Sequence, residues 1–313
     1  MYDVIVVGSG CAGMTAAIYC LRANLKVLVL EAKVVGGQIV NASKIVNYPG
    51  IKEISGIDFS MNLYDQVIDL GAAFKYEKVI DIELDGNKKI VKTTDNSYIS
   101  KSVIIASGAV NKHLGVNGED KLIGKGVSYC ATCDGYFYKD KIVAVQGGGN
   151  TALEDVIYLN DIAKKVYLIH RRDSFKAEND LINKVKECSN VEIIYNSKVV
   201  SINGNEKLES IDLVDNDNNE SNIKVDGIFI AIGQIPENGN FIKFVNLDKN
   251  GYIVTDNNCH SKVDGIFIAG DCRSKDVRQL TTAASDGTLC AIQAINYCKN
   301  ESFWTEPQKL DSL

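Results

Sequence analysis

Apolar runs and alternations divide the chain into blocks that recur. Val4-Ile5-Val6-Val7 is an unbroken apolar run ending at Gly8, followed by a stretch with helical spacing and a second run, Val27-Leu28-Val29-Leu30. Runs of this length bounded by glycine predict strands buried on both faces, and the 3.6-residue spacing between them predicts a helix. The block returns later: Val143-Ala144-Val145-Gln146 precede Gly147, and Val166-Tyr167-Leu168-Ile169 close it. One register without a gap lays Gly8-x-Gly10-x-x-Gly13 on Gly147-x-Gly149-x-x-Ala152, and Tyr19 on Tyr158. Another buried run, Val103-Ile104-Ile105, exits through Ala106-Ser107-Gly108. The string from Val225 to Ala231 recurs letter for letter from Val263 to Ala269, leading first into Gly233-Gln234 and then into Gly270-Asp271. The segments 76–93 and 191–230 alternate apolar and polar residues, as in Glu192-Ile193-Ile194-Tyr195 and Ile211-Asp212-Leu213. They predict smaller antiparallel sheets covering the doubly wound ones.

The predicted class is therefore α/β, with two Rossmann-like, doubly wound, three-layer nucleotide-binding domains, the second inserted into the first. The discontinuous outer domain takes residues 1–112 and 241–313, and the inserted one takes 113–240. The polar passage Asn111 to Gly126 and a second crossing near residues 238–243 mark the boundary, and two crossing strands predict a hinge. A length of 313 residues suits two cores, because single cores stop growing at roughly 250–300 residues.

Composition narrows the class. Hydrophobic content of 45% and charge of 24% are those of a globular chain, and a net charge of −6 argues against a nucleic-acid partner. The first apolar stretch is interrupted by Gly8, Gly10 and Gly13, so it predicts no membrane span. A strand starting at about Tyr2 leaves no room for a signal peptide, which predicts a cytoplasmic protein. Nine cysteines are too sparse for a disulfide scaffold and are expected to be mostly reduced there, which singles out the close pair Cys130 and Cys133. Trp304 and the tail around it carry no functional signal.

The glycines let the backbone turn sharply and approach a pyrophosphate, whose charge is favoured by free amides at a helix start. The two blocks differ where their second strand ends. The first ends at Glu31, an acid placed for a ribose 2′-hydroxyl and repulsive to a 2′-phosphate, so it predicts FAD or NAD. The second ends at His170, followed by Arg171, Arg172 and Lys176, cations suited to the 2′-phosphate of NADPH. Asp271 has two readings, a partner for a ribityl hydroxyl or a helix N-cap. Cys130 and Cys133 have three: a redox disulfide, half a zinc site, or packed structural cysteines. His113, His170, His260 and the other cysteines are scattered, which argues against a metal and for redox chemistry. Asp134, next in sequence, suits proton exchange with a thiol.

Together these strings resemble the low-molecular-weight bacterial thioredoxin reductases over essentially the whole chain. The matching strings are G-S-G-C-A-G at 8–13, G-G-Q at 36–38, N-Y-P-G at 47–50, C-A-T-C-D-G at 130–135, G-G-G-N-T-A at 147–152, H-R-R-D at 170–173, A-G-D at 269–271 and R-Q at 278–279. The resemblance implies a homodimer that reduces thioredoxin, or a thioredoxin-like protein, with NADPH through FAD and the dithiol. It also implies rotation of one domain against the other. Cys133 is implied as the thiol facing the flavin, Cys130 as the one attacking thioredoxin, and Asp134 as the acid/base. FAD contacts are implied at Gly8, Ser9, Gly10, Ala12, Gly13, Glu31, Ala32, Gly36, Gly37, Gln38, Asn47, Val79, Ala106, Ser107, Gly108, Gly270, Asp271, Arg278, Gln279 and Leu280. NADPH contacts are implied at Gly149, Asn150, Thr151, His170, Arg171, Arg172, Lys176 and Gln234. Three departures stand out: Cys11 replaces a usual proline or alanine, Ser107 a usual threonine, and Lys176 a usual arginine, which weakens the grip on NADPH. Relatives that use ferredoxin as donor have lost the nucleotide motifs, whereas this chain keeps Gly147 to Ala152 and the arginine pair. Transfer to a different disulfide protein, or a non-catalytic sensing flavoprotein, are the remaining alternatives.

Overall fold

The computed structural model describes residues 1–300, so Trp304 lies outside the described residues. The chain divides into two compact units: Met1–Ser43, Tyr48–Val110 and Ile235 onward form one, and Lys44–Asn47 with Asn111–Gln234 form the other. The crossings thus fall a few residues earlier than the expected 112/113 and 240/241, and Lys44–Asn47 groups with the second unit. The short strands Ala109–Asn111 and Gln234–Pro236, which pair with each other, carry the chain across.

In the first unit the strands Tyr2–Val7, Val27–Glu31 and Ala73–Tyr76 lie parallel, and Ser97–Ile105 and Ile266–Ile268 continue the sheet on the other side of Tyr2–Val7. The runs read from the sequence are buried on both faces: Ile5, Leu28, Val103, Ile105, Ile266 and Ile268 share one core cluster. The expected separate sheet over residues 76–93 is corrected. The hairpin Val79–Asp85 and Lys88–Thr93 joins the main sheet, because Ser97–Ile105 is nine residues long. Its first half pairs antiparallel with Lys88–Thr93, while Val103 to Ile105 pair parallel with the first strand and with Ile266–Ile268. The hydrophobic pattern of a strand shows which faces are buried, not which neighbour sits at each edge.

The second unit repeats the plan in a five-stranded parallel sheet in which Ile142–Gly147 lies between Lys165–Ile169 and Gly227–Ala231. The segment 191–230 splits. Ser197–Asn203, Ser210–Asp215 and Glu220–Lys224 form the expected antiparallel sheet, but Val191–Ile194 adds to the parallel sheet and Gly227–Ala231 sits inside it. Among the described residues no helix is long and apolar enough to cross a membrane.

In the first unit the helix Leu280–Lys299 lies along Cys11–Arg22, and Gly287 sets how close they come. A Cβ on Gly287 would stand 2.3 Å from the Ala12 carbonyl oxygen. Gly287→Ala is expected to destabilise this unit by about 1–3 kcal/mol, a drop of several degrees in thermal midpoint. Gly239→Ala, whose Cβ meets nothing within 4 Å, should leave the midpoint unchanged.

Candidate active site

The first strand ends at Gly8, whose φ of 101° is left-handed and whose Cβ would stand 2.3 Å from the Ala106 carbonyl oxygen. A Cβ on Gly13 would stand 2.0 Å from the Gly8 carbonyl oxygen, whereas one on Gly10 would meet only the Gly36 carbonyl oxygen, at an ordinary contact of 3.9 Å. Gly8 and Gly13 therefore let the helix Cys11–Arg22 close onto the strand, and Gly10 leaves room for a pyrophosphate beside the helix amides. Ala106, Ser107 and Gly108 follow the neighbouring strand; Ser107 Oγ lies 3.2 Å from Asn238 Oδ1, and Asn238 donates to the Gly251 and Cys272 carbonyls. Asn238 is buried and has no motif around it in the sequence.

Glu31 ends the second strand, but its carboxylate is already in use. Oε2 accepts from Ser9 N and Ser9 Oγ at 2.8 and 2.7 Å, and Oε1 accepts from Lys33 N at 2.8 Å. Two carboxylate oxygens offer about four acceptor sites, so a ribose hydroxyl fits as a further donor. Ser9 is thereby fixed, and its carbonyl accepts from Gly36 N at 3.0 Å, bringing Gly36, Gly37 and Gln38 to the same turn. Ala32 lies just beyond Glu31 and is exposed. Val79 is buried, its carbonyl held by Asn240 Nδ2. Asn47 is grouped with the second unit.

Gly270, with a φ of 82°, turns the last strand beside Ala12, and Gly270 N donates to Asp286 Oδ2. Asp271 Oδ1 is buried and makes no aligned hydrogen bond, although the Lys275 ammonium stands 3.3 Å away. Burial pushes its carboxyl above the usual range, opposed by Lys275 and Arg278. This acceptor fits a polyol hydroxyl such as that of a ribityl chain. No hydrogen bond from its side chain caps a helix: the Gln279 side chain accepts from Thr282 N to cap Leu280–Lys299, and Gln279 N donates in return to Thr282 Oγ1. Leu280 opens that helix and accepts from Cys11 Sγ, while Arg278 lies over the Tyr252 ring, 3.9 Å from its centroid. The Cys11 thiol is pushed up to about 11 by burial, an inert state.

The second glycine turn has the same construction. A Cβ on Gly147 would stand 2.5 Å from the Ala231 carbonyl oxygen, while Gly149, ahead of the helix Asn150–Asn160, has open space. The His170 ring is buried under Gly148 with Nδ1 3.0 Å from the Gly147 carbonyl and Nε2 3.0 Å from the Ser174 carbonyl, so both nitrogens shape the loop. Arg171, Arg172 and Lys176 are exposed, and Lys176 N donates to the Gly148 carbonyl, which draws the basic loop to the glycine turn. Asn150 pins the far end by exchanging hydrogen bonds with Glu178, and Thr151 is exposed. Gln234 donates to Asn111 Oδ1 at the chain crossing.

Cys130 and Cys133 form a disulfide, with their Cα atoms 5.3 Å apart. Cys130 precedes the single helical turn Ala131–Asp134, which brings the sulfurs together, and both residues are partly exposed. Among the described residues no group of side chains could hold a metal, and the other seven cysteines are free. Asp134 is pushed above the usual carboxylate range by burial, opposed by a hydrogen bond from Ser128 Oγ at 2.6 Å. Sequence reasoning passed over Ser128, because a serine ahead of a C-x-x-C belongs to no recognisable spacing.

Residues 2–287 match the model of the pyridine nucleotide-disulphide oxidoreductase family. The chain is similar to a thioredoxin reductase of Peptoclostridium acidaminophilum, at 40% identity over 95% of this chain and 97% of that one. It is similar also to one of Bacillus subtilis, at 41% identity over 95% of each. Its structure matches that of thioredoxin reductase from Streptococcus pyogenes with a TM-score of 0.92 and 40% identity, covering 95% of this chain and 98% of the other.

Proposed function

The chain belongs to the pyridine nucleotide-disulphide oxidoreductase family, among its thioredoxin reductases, and from that membership we infer that it carries electrons from NADPH through FAD to thioredoxin. The observation that carries this reading is the Cys130–Cys133 disulfide beside a buried carboxyl, in a chain with two glycine turns whose central glycines would bring a Cβ no closer than 3.9 Å to a neighbouring atom. FAD would be held by the first glycine turn, Glu31, Gly36 to Gln38 and the Asp271 loop; NADPH would be held by the second turn and the basic loop. Bound flavin supplies the step between two-electron hydride chemistry and the dithiol.

The protein's residues do the rest. Two electrons and two protons open the disulfide to a dithiol, one proton reaching the freed sulfur through Asp134. Asp134 takes the Cys130 proton as that sulfur attacks one sulfur of the thioredoxin disulfide, and returns it to the thioredoxin thiolate that leaves. Cys133 then attacks Cys130, breaking the mixed disulfide and re-forming the Cys130–Cys133 bond; its proton passes to the second thioredoxin sulfur, and reduced thioredoxin is released. Burial suits Asp134 to this by raising its affinity for a proton towards working pH. Asp134→Asn is expected to slow the dithiol steps by roughly 10²–10⁴ while NADPH still reduces the flavin. Stopped-flow traces at the flavin band and at thioredoxin separate the two.

A homodimer in the cytoplasm completes the proposal. Seven free cysteines beside one disulfide suit a reducing compartment, and light scattering reads the subunit number. The decisive experiment is a spectrum of the purified protein titrated with NADPH and then with oxidised thioredoxin. The flavin should bleach and then recover; a flavin that thioredoxin does not reoxidise sinks the acceptor assignment.

A further inference from the structure

We propose that Ser128 is a positioning residue for the dithiol chemistry, its hydroxyl fixing the Asp134 carboxyl to the backbone of Cys130 in one orientation. The inference rests on Asp134 acting as the acid/base. Ser128 ends the strand Val127–Ser128, which pairs parallel with Ile228 and Phe229, so the residue is anchored in the sheet edge and buried. Its hydroxyl has one proton and two candidate acceptors, Asp134 Oδ2 at 2.6 Å and the Cys130 carbonyl at 3.4 Å. The nearer, charge-bearing acceptor takes it. The oxygen's lone pairs then accept from Cys130 N at 3.1 Å. The direction of both bonds is thereby fixed: the amide of Cys130 donates to the hydroxyl, and the hydroxyl donates to the carboxylate.

This bridge closes the chain over the seven residues from Ser128 to Asp134, around the redox pair itself. The helical turn also ties Asp134 to Cys130, by its amide to the Cys130 carbonyl at 3.1 Å. That bond holds the main chain, whereas the serine bond fixes the carboxyl. Burial and the serine act oppositely on Asp134: burial favours the proton, and the donated hydrogen bond favours the carboxylate. The titratable neighbours lie on the elements packed against this turn. Glu154, Asp155 and Tyr158 stand on the helix Asn150–Asn160, and Tyr136 and Tyr138 on the turn Gly135–Tyr138, the two elements packed most closely on this turn. Asp155 is pushed up to about 7 by burial and by the charge of Glu154, so it titrates on its own limb, which stays in place when Asp134 is replaced. Tyr138 is itself pushed up to about 12 by burial and by the charges of Asp134 and Asp226, so it stays protonated at working pH and adds no charge.

The test reads the rate at which NADPH opens the Cys130–Cys133 disulfide in flavin-loaded protein, followed by alkylation of the new thiols across pH. Thioredoxin is not needed, so failure of the acceptor assignment leaves this measurement standing. Asp134→Asn first identifies the limb of the pH profile that belongs to the carboxyl. Ser128→Ala is expected to lower the rate about ten-fold, the effect of one hydrogen bond to a charged group, and to move that limb to higher pH by about one unit. The upward direction follows because removing a donor to the carboxylate favours the protonated form. NADPH reduction of the flavin should not change. Ser128→Thr and Ser128→Val, alike in shape, isolate the hydroxyl should alanine disturb the fold: threonine restores the limb and valine does not. A limb unmoved in Ser128→Ala, or the same in the threonine and valine variants, overturns the proposal.

Discussion

Cys130→Ser is expected to leave reduction of the flavin by NADPH intact and to abolish delivery of electrons to thioredoxin. Hydride transfer needs neither sulfur, whereas disulfide exchange needs both: one attacks the acceptor and the other resolves the mixed disulfide. Cys133→Ser should stop turnover equally, so turnover alone does not distinguish the two. Spectra and trapping do. With Cys130 gone, the Cys133 thiolate remains and should give a long-wavelength charge-transfer band with oxidised flavin. With Cys133 gone, that band should be absent, and Cys130 should accumulate as a stable mixed disulfide with thioredoxin, visible as a single adduct by non-reducing electrophoresis. The opposite assignment of band and adduct would exchange the roles of the cysteines. Full thioredoxin turnover in either variant would falsify the relay.

The second large effect concerns the choice of nucleotide. Arg171 and Arg172 are exposed at the end of the second unit's Lys165–Ile169 strand, and the loop behind them is tied to the glycine turn by the bond from Lys176 N to the Gly148 carbonyl. Guanidinium groups beside the ribose end of that turn suit a 2′-phosphate, each charge-assisted bond adding roughly ten-fold in affinity. Replacing both with neutral residues should raise KM for NADPH by about 10²-fold and leave KM for NADH nearly unchanged. The difference should shrink at high salt, because exposed charges are screened. Equal use of the two nucleotides by the unmodified protein would refute the role of the pair.

His170 shows why neighbouring letters did not carry equal weight. In the sequence it stands with Arg171 and Arg172 as part of one basic string, yet its ring turns inward and uses both nitrogens on the chain's own carbonyls. A strand ending sends successive side chains to opposite faces, so one of three adjacent residues can be buried while the others reach solvent. Glu31 is similar: its type and place were legible, but its bonds to Ser9 and Lys33 were not.

The sequence by itself determined the repeated strand–turn–helix plan, the paired cysteines and the glycines that must lack a side chain. These are local demands. The left-handed φ of Gly8 and the clash of a Gly13 Cβ with the Gly8 carbonyl arise within the turn itself, and buried strands must be apolar whatever surrounds them. The tertiary structure alone decided matters set by partners distant in the chain. It joined the hairpin at 79–93 to the main sheet, and it sent Val191–Ile194 and Ser197–Asn203 to different sheets. It left Asp271 Oδ1 buried without an aligned bond and laid the Ser128 hydroxyl between an acid and the dithiol. The physical reason is that a hydrophobic pattern encodes which face of an element is buried. A polar side chain's partner depends on where the chain returns, and Ser128 is fixed by a sheet edge that pairs with residues near 228.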